Sequence, residues 1–193
     1  MLTLGILGSG SGSNMQAIID AIQRGTLKAR VGIVLCDNPD GYILERAKIQ
    51  GIPNGIIDCS PHPRKFPEEA QEMTAERLRS AGVDLVCLAG FMRLLKAPLL
   101  NEFHQKILNI HPSLLPAFPG LEAWKQALAA SVNETGVTVH VVDSGMDTGP
   151  VIMQEIVPIQ PSDTPETLHA RIQTVEHQLY PEAIAKYAAT IGL

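Results

Sequence analysis

Short apolar runs alternate with amphipathic segments along the first two thirds of the chain. The apolar runs predict strands at Leu4–Leu7, Val31–Leu35, Ile56–Ile57, Asp84–Ala89 and Ile107–Ile110. The segments between them predict helices near Asn14–Arg24, Tyr42–Gln50, Glu68–Ala81 and Pro98–Phe103. This alternation is typical of an α/β fold with a doubly wound, mostly parallel sheet. Because its crossovers are right-handed, the strand carboxyl ends share one edge, where such sheets bind ligands.

The last third of the chain has a different pattern. Val137–Val142 and Val151–Pro158 are rich in β-branched residues, and a glycine-containing loop separates them, which predicts an antiparallel strand pair. A long C-terminal helix is expected from Asp163 or Thr164 as cap, with Pro165 in its first turn. The apolar spacing predicts its core face at Leu168, Ile172, Val175 and Leu179.

Composition favours one large domain over residues 1–193 without a dividing linker. Apolar residues make up 45% of the chain, and charged residues only 18%, below the roughly 25% of an average globular protein. Such a chain can cover a parallel sheet on both faces. The net charge of -5 argues against a nucleic-acid partner, but it permits an anionic small molecule, because backbone amides bind phosphate.

Nothing in the sequence indicates a membrane or metal partner. No apolar run approaches the roughly 18 residues of a membrane span, and Met1 leads directly into the first predicted strand. Cys36, Cys59 and Cys87 are odd in number and lack the spacing of metal ligands. We therefore expect reduced core cysteines, no metal and a cytoplasmic location.

A glycine-rich loop, Gly8–Asn14, joins the first predicted strand to the first helix. Glycine lets the backbone approach a ligand closely, and the free amides at a helix start favour an anion. Ser11, Ser13 and Asn14 add donors, so the loop predicts a phosphate site. Two alternatives stay open: a flexible turn without a ligand, and a dinucleotide site with Asp37 as its ribose-binding acid.

Asn109 and His111 end the fifth predicted strand and project to the same side, because strand side chains alternate. An amide NH₂ and an imidazole N–H can both donate to the oxygen that gains negative charge during acyl transfer. Asp147 is the candidate carboxylate that would raise the pKa of His111 and keep the ring protonated. The alternative is that Asn109 caps a loop and that His111 is structural.

Four separated motifs resemble those of the folate-dependent formyltransferases. They are Gly8–Asn14, Leu88–Leu95, Leu108–Pro116 and Val139–Pro150, and Gln173–His177 adds to a similarity that covers the whole chain. The resemblance implies a Rossmann-like formyltransferase fold. It also implies transfer of a formyl group from 10-formyltetrahydrofolate to the amine of 5-phosphoribosyl-glycinamide, in purine biosynthesis. The expected partners are these small molecules alone, and the expected state is a monomer or homodimer.

The resemblance also implies a role for each matching residue. Asn109 would bind the formyl oxygen, His111 would act as general acid, and Asp147 would orient and charge His111. The residues expected to hold the substrate are Gly12, Ser13 and Asn14 at its phosphate, and Gln173 and Glu176 at its amine. The residues expected around the pterin are Met92, Arg93, Leu94, Leu95, Asn109, Asp143, Ser144, Gly145, Met146 and Asp147. Residues 1–100 would then form the phosphate-binding half, and residues 101–193 the folate and catalytic half.

Two assignments are less direct. The family often has an arginine after the third strand that reaches the glutamate tail of folate, but here that loop is the proline-rich stretch Pro61–Pro67. Arg64 or Lys65 could serve, and Arg64 is the better carboxylate fork, or both are solvated loop charges. Glu176 lies beside the predicted core stripe, so it could instead be a solvated surface charge.

Other functions remain as alternatives. Formyltransferases that act on methionyl-tRNA or nucleotide sugars share the Asn-x-His and Asp motifs, although a tRNA enzyme is expected to add a basic C-terminal domain, and this chain ends at Leu193 with an acidic balance. Related hydrolases cleave formyl-folate with the same three residues, usually behind an N-terminal regulatory domain. A nucleotide-sensing binding module on the same fold is the alternative of another class, because fold does not fix chemistry.

Overall fold

The computed structural model describes all 193 residues and contains one seven-stranded sheet with six helices. The strands are β1 (Leu2–Gly8), β2 (Ala29–Cys36), β3 (Asn54–Ile56), β4 (Leu85–Leu88), β5 (Ile107–His111), β6 (Glu134–Val141) and β7 (Val151–Pro158). The helices are α1 (Ser13–Gln23), α2 (Tyr42–Ile49), α3 (Glu68–Ser80), α4 (Ala97–Glu102), α5 (Ala123–Ala129) and α6 (Pro165–Thr190). The strand order is β3-β2-β1-β4-β5-β6-β7, parallel through β5 and antiparallel at β6 and β7. The predicted sheet, antiparallel pair and long C-terminal helix are confirmed.

Each predicted element is present within a few residues of its predicted bounds, but α5 has no counterpart in the prediction. This helix has only seven residues, and Glu122, which precedes it, has a left-handed backbone and makes no side-chain cap. The usual start signal is therefore missing. Packing supports the helix instead, since the Trp124 ring stacks on the His169 ring of α6 with centroids 3.8 Å apart.

The two faces of the sheet carry separate apolar cores. On the first face, inward residues such as Leu108 and Val139 pack against α1 and α6. On the second face, residues such as Leu88 and Ile107 pack with α3 and α4. Over β5 and β6, the second face is covered by the segments 113–122 and 142–150, which supply its contacts there. A polar site can therefore form at that position without disrupting a helix–sheet interface.

Helix α6 begins as predicted, with a capping box at Thr164 and a proline in its first turn. Its core face differs by one residue from the prediction. Val175 is only half-buried, whereas Glu176 is 6% exposed. The interpretation of Glu176 as a solvated charge is therefore wrong, because the helix turns that carboxyl group toward α1.

Two further expectations concern the cysteines and the membrane. Cys36, Cys59 and Cys87 are unpaired and buried, as predicted. No helix of the chain combines the length and apolar character that a membrane crossing requires.

Tyr180 fastens α6 to the parallel part of the sheet. Its side chain is fully buried, and its hydroxyl group lies 3.0 Å from the carbonyl oxygens of both Leu88 and Leu108. These carbonyls belong to neighbouring strands, so one hydroxyl proton is shared between β4 and β5. The contact fixes the position of α6 relative to β4 and β5.

We expect Tyr180→Phe to lower the free energy of unfolding by about 1–2 kcal/mol, because a buried hydrogen bond is lost without a change of ring packing. Urea denaturation at neutral pH measures this difference. The matched control is Tyr42→Phe, whose side chain is 54% exposed and which should leave stability unchanged. Equal stability of the two variants would contradict the anchoring role.

Candidate active site

The site forms where β5, β6 and the loop after β6 meet on the second face. In the antiparallel pairing of β5 with β6, Asn109 lies opposite His140 and His111 lies opposite Thr138. Directly opposed residues of antiparallel strands project to the same face. The predicted placement of Asn109 and His111 on one side of the strand is therefore what the structure has, and His140 joins them.

Asp147 completes the cluster. Its Oδ2 lies 3.4 Å from Nδ1 of His111, and its Oδ1 lies 3.6 Å from Nε2 of His140. The amide nitrogen of Asn109 lies 3.1 Å from the same Nε2. The three side chains proposed from the sequence thus meet in space, and the alternative of an isolated, purely structural Asn–His pair does not describe this arrangement.

The loop after β6 is built to bring Asp147 back over the sheet. Asp147 has a left-handed backbone with φ of 56°, and its Oδ2 accepts the N–H of Gly120 at 2.8 Å. A side chain at Gly149 would lie 1.8 Å from the carbonyl oxygen of Val141, so only glycine fits there. Asp143 closes the turn by accepting from the Gly145 N–H and the Thr148 hydroxyl.

His111 uses both ring nitrogens inside the protein. Its Nε2 lies 2.9 Å from the carbonyl oxygen of Phe118, and because a carbonyl only accepts, Nε2 carries a proton. Nδ1 then faces Asp147, and a proton on Nδ1 would complete an ion pair. The side chain is only 6% exposed, which makes the charged ring costly.

The pKa of His111 is lowered, whereas the sequence analysis predicted that it would be raised. Burial lowers the pKa of His111, and it outweighs the Phe118 carbonyl and the Asp147 carboxylate, which raise it. For Asp147, burial raises the pKa, but His140, the Gly120 N–H and His111 together bring it below the usual carboxyl value. Asp147 is therefore ionised near neutral pH, and it makes protonation of His111 less unfavourable without making it the resting state.

The glycine loop lies at the carboxyl end of β1 and opens α1, as predicted. Gly12 has φ of 74°, and a Cβ there would lie 2.8 Å from Ile43, which explains the glycine. Arg46 of α2 donates from Nε to the Ser11 carbonyl at 2.9 Å. The sequence analysis did not identify Arg46 as a neighbour of the loop, because α2 is remote in sequence and no spacing signal connects it with the loop.

Asn14 and Glu176 form a buried pair behind the glycine loop. The Asn14 amide donates to Glu176 at 3.0 Å, while the Asn14 Oδ1 is buried without a partner. Burial raises the pKa of Glu176 to about 6, and the hydrogen bond from Asn14 offsets part of this effect. Gln173 lies one turn earlier on α6 and is half-buried. These residues adjoin the first face, whereas Asn109 and His111 project from the second.

The side chain of Arg93, one of the residues expected around the pterin, is used inside the protein. The Arg93 guanidinium forms a buried ion pair with Asp37 and donates to the carbonyl oxygens of His62 and Lys65. These partners direct the Arg93 side chain into the protein, so the prediction for the pterin pocket, which relies largely on backbone hydrogen bonds from residues 92–95, stays a prediction. Asp37 also accepts from Ser9, so both carboxylate oxygens are engaged and the dinucleotide alternative loses its ribose-binding acid.

The other predicted folate-side residues are mostly at the surface. Met92, Leu94 and Met146 are 60%, 52% and 51% exposed, and Leu95 is buried beneath them. Asp143 and Ser144 are exposed, and Gly145 is half-buried. Arg64 and Lys65 are both exposed, so the structure brings neither into contact with the Asp147 cluster. The exposed apolar side chains provide the surface that a flat aromatic ring could cover.

The raised pKa of Glu176 leads to a prediction about stability. A carboxyl group whose pKa is higher in the folded protein ionises first in the unfolded chain, so the free energy of unfolding falls as the pH rises from 4.5 to about 6. Glu176→Gln cannot ionise but keeps an acceptor for Asn14. Its stability relative to the wild type should therefore increase by about 2 kcal/mol between about pH 4 and pH 7. Urea denaturation across this range tests it, and a pH-independent difference would contradict it.

Comparison with known proteins finds one matching family. The model of the formyl transferase family matches residues 3–184. The phosphoribosylglycinamide formyltransferase of Bacillus subtilis is 41% identical over 186 residues, which cover 95% of this chain and 93% of that protein. The trifunctional purine biosynthetic protein adenosine-3 of Drosophila pseudoobscura is 47% identical over 186 residues, but the chain spans only 14% of its length.

Solved structures give the same result. Glycinamide ribonucleotide transformylase 1 from Symbiobacterium toebii is 49% identical, covers 98% of this chain and 89% of its own, and superposes with a TM-score of 0.93. The phosphoribosylglycinamide formyltransferase from Bacillus halodurans is 45% identical, covers 98% of this chain and 96% of its own, and gives a TM-score of 0.91. The likeness therefore extends over 89–96% of the length of these two structures and over 93% of the Bacillus subtilis protein.

Proposed function

The chain belongs to the formyl transferase family, and we propose that it transfers the formyl group of 10-formyltetrahydrofolate to the amine of 5-phosphoribosyl-glycinamide. The products are formylglycinamide ribonucleotide and tetrahydrofolate, in purine biosynthesis. The observation that carries the proposal is the meeting of Asn109, His111 and Asp147 at the strand edge that also bears the glycine loop. Full-length similarity to relatives named for this activity supports it.

The reaction proceeds by direct attack. The neutral amine adds to the formyl carbon, the carbonyl oxygen becomes an oxyanion, and the Asn109 NH₂ donates to it. The His111 Nε2–H joins Asn109 as a donor by exchanging the Phe118 carbonyl for the oxyanion. One such donor typically contributes about 3–4 kcal/mol to the transition state. The attacking nitrogen becomes cationic on addition and gives up one proton to His111, directly or through water. Collapse breaks the bond to the folate nitrogen, which takes up that proton from His111 by the same route. No covalent intermediate on the protein is required.

The opposing influences on His111 suit this proton transfer. Burial lowers the pKa of His111 and makes the protonated ring a readier donor. The ionised Asp147, 3.4 Å from Nδ1, stabilises the imidazolium while the ring holds the proton. We propose that Asp147 acts as an electrostatic and orienting partner of His111, and that it does not itself exchange protons with substrate.

The proposed contacts with the ribonucleotide come from both faces of the sheet. We propose that the backbone amides of Gly12, Ser13 and Asn14 hold the phosphate at the start of α1, where the helix dipole favours an anion. Glu176 contacts Asn14, so Glu176 and Gln173 hold the ribosyl-glycinamide portion that extends from the phosphate. The phosphate then anchors the substrate so that its amine reaches Asn109 and His111.

Folate binding uses the loops after β4 and β6. We propose that backbone groups of residues 92–95 and of the Asp143–Asp147 loop bind the pterin, with the exposed side chains of Met92, Leu94 and Met146 covering its ring. Arg64 is the candidate for the glutamate tail, and Lys65 is its alternative. The buried, unpaired cysteines are compatible with a reducing cytoplasmic environment, and we propose that the protein acts there as a monomer or homodimer.

The direct test mixes the purified protein with 10-formyltetrahydrofolate and 5-phosphoribosyl-glycinamide and follows the folate absorbance. Turnover that requires the ribonucleotide supports the proposal. Hydrolysis of formyl-folate at the same rate without the ribonucleotide would indicate a hydrolase. Transfer to methionyl-tRNA or to a nucleotide sugar instead would indicate another acceptor, and the absence of any turnover would indicate a binding protein.

The role of Asp147 gives a sharper prediction. Asp147→Asn keeps the shape of the side chain and removes its charge, so kcat should fall at least about ten-fold while the KM values change little, because the lost charge acts on the protonated state of His111. Steady-state kinetics measure both parameters. Glu134→Gln, at an exposed residue that begins β6, is the control of equal charge change. An Asp147→Asn variant that keeps more than about half of the wild-type rate would contradict the charge-stabilising role.

A further inference from the structure

His140 is a buried histidine in the site for which the proposed reaction has no step. Its side chain is 3% exposed and lies on β6 opposite Asn109. Its Nδ1 is 2.9 Å from the carbonyl oxygen of Val141. Its Nε2 faces two groups, the amide nitrogen of Asn109 at 3.1 Å and Oδ1 of Asp147 at 3.6 Å. A buried imidazole with every nitrogen directed at a partner is held in one orientation.

The partners of His140 determine its tautomer. The Val141 carbonyl can only accept, so Nδ1 must carry the proton. In the neutral ring Nε2 then presents a lone pair, and it can only accept. The separation of 3.1 Å from Asn109 is within hydrogen-bond range, whereas 3.6 Å to Asp147 is not. For the neutral ring, the arrangement therefore has one consistent pairing, in which the Asn109 NH₂ donates to His140.

That pairing distinguishes the two ends of the Asn109 carboxamide. Rotation by half a turn would exchange the NH₂ group and Oδ1, and Oδ1 would then face the lone pair of His140. Two acceptors in contact repel each other, and both would lack a donor in a buried site. His140 thus favours the orientation in which one N–H of Asn109 is used by the protein and the second N–H remains for another acceptor.

We propose that His140 is a positioning residue: its Nε2 lone pair fixes the Asn109 amide so that the free N–H is directed at the formyl oxygen. This inference rests on the proposed function for the identity of that oxygen. In the reversed orientation Asn109 would present Oδ1 to a growing negative charge, which would raise the barrier. His140 does not touch the reacting atoms and acts only through Asn109.

Two variants separate this role from general packing. His140→Leu removes the acceptor and keeps an apolar side chain of suitable size, and kcat should fall by about three- to ten-fold, the worth of one hydrogen bond, with both KM values within about two-fold. His140→Gln can place its amide oxygen near the former Nε2 and should retain most of the rate. Equal losses in the two variants would show that shape, and not the acceptor, matters.

A double-mutant cycle tests whether the effect passes through Asn109. In an Asn109→Ala background no amide remains to be oriented, so His140→Leu should cause no further loss of kcat. The same fold-loss in both backgrounds would overturn the proposal. His104→Leu, at an exposed histidine outside the site, is the control for the loss of a histidine and should retain the wild-type rate.

A spectroscopic test on the free protein needs no turnover. In the ¹⁵N-labelled chain, the Asn109 side-chain NH₂ signal is the one that Asn109→Ala removes. We expect this signal to shift in His140→Leu, to stay close to its wild-type position in His140→Gln, and to be unchanged in His104→Leu. The His140 ring should show a protonated Nδ1 and an unprotonated Nε2. The opposite tautomer, or a ring protonated on both nitrogens, would overturn the proposal. If the wild-type protein fails to formylate the ribonucleotide, the proposed function is wrong. The spectra would still report whether His140 orients the Asn109 amide.

Discussion

The antiparallel register of β5 against β6 determines which side chains can meet at the site. Asn109 is opposite His140 and His111 is opposite Thr138, so these polar groups share the second face. The apolar residues between them, such as Ile110 and Val139, belong to the core on the first face. A slip of one residue would bury the polar set under α6 and expose the apolar set. The apolar packing on the first face therefore determines which polar side chains meet on the second face.

The electrostatics of the cluster depend on this confinement. Asp147 is held between two imidazoles and accepts the Gly120 N–H, which keeps its pKa low despite burial. His111 is in the opposite situation, because burial outweighs its ionised neighbour and lowers its pKa. A surface pair at the same distance would interact much more weakly, because the high dielectric constant of water reduces the Coulomb energy. By covering the second face, the loops strengthen the interaction of the Asp147 carboxylate with His111. The same burial raises the free-energy cost of protonating the His111 ring.

The sequence was sufficient for the order of the elements and for the shared side of Asn109 and His111, since both follow from local periodicity. Asp147 was named as the partner of His111 from its glycine-flanked loop and the family resemblance, and the structure places the two together, but the partner of Asn109 was not predicted. The alternation around His140 indicates that this residue points away from Val139 and Val141, but only the register of β6 shows that it points toward Asn109. Glu176 shows the same limit, because its burial depends on the rotation of α6 against α1, which apolar spacing defines only within about one residue.

Arg93 illustrates how the ends of four of the five parallel strands become one rigid edge. Its guanidinium joins Asp37 after β2 to backbone carbonyls after β3, and Asp37 in turn holds Ser9 of the glycine loop. Ser9 accepts the Met92 N–H at 3.0 Å, which closes the network. A buried ion pair contributes little net stability once desolvation is counted, so its effect here is positional. It fixes the proposed phosphate loop relative to the proposed pterin loop, and direct transfer between two bound molecules depends on that distance staying constant.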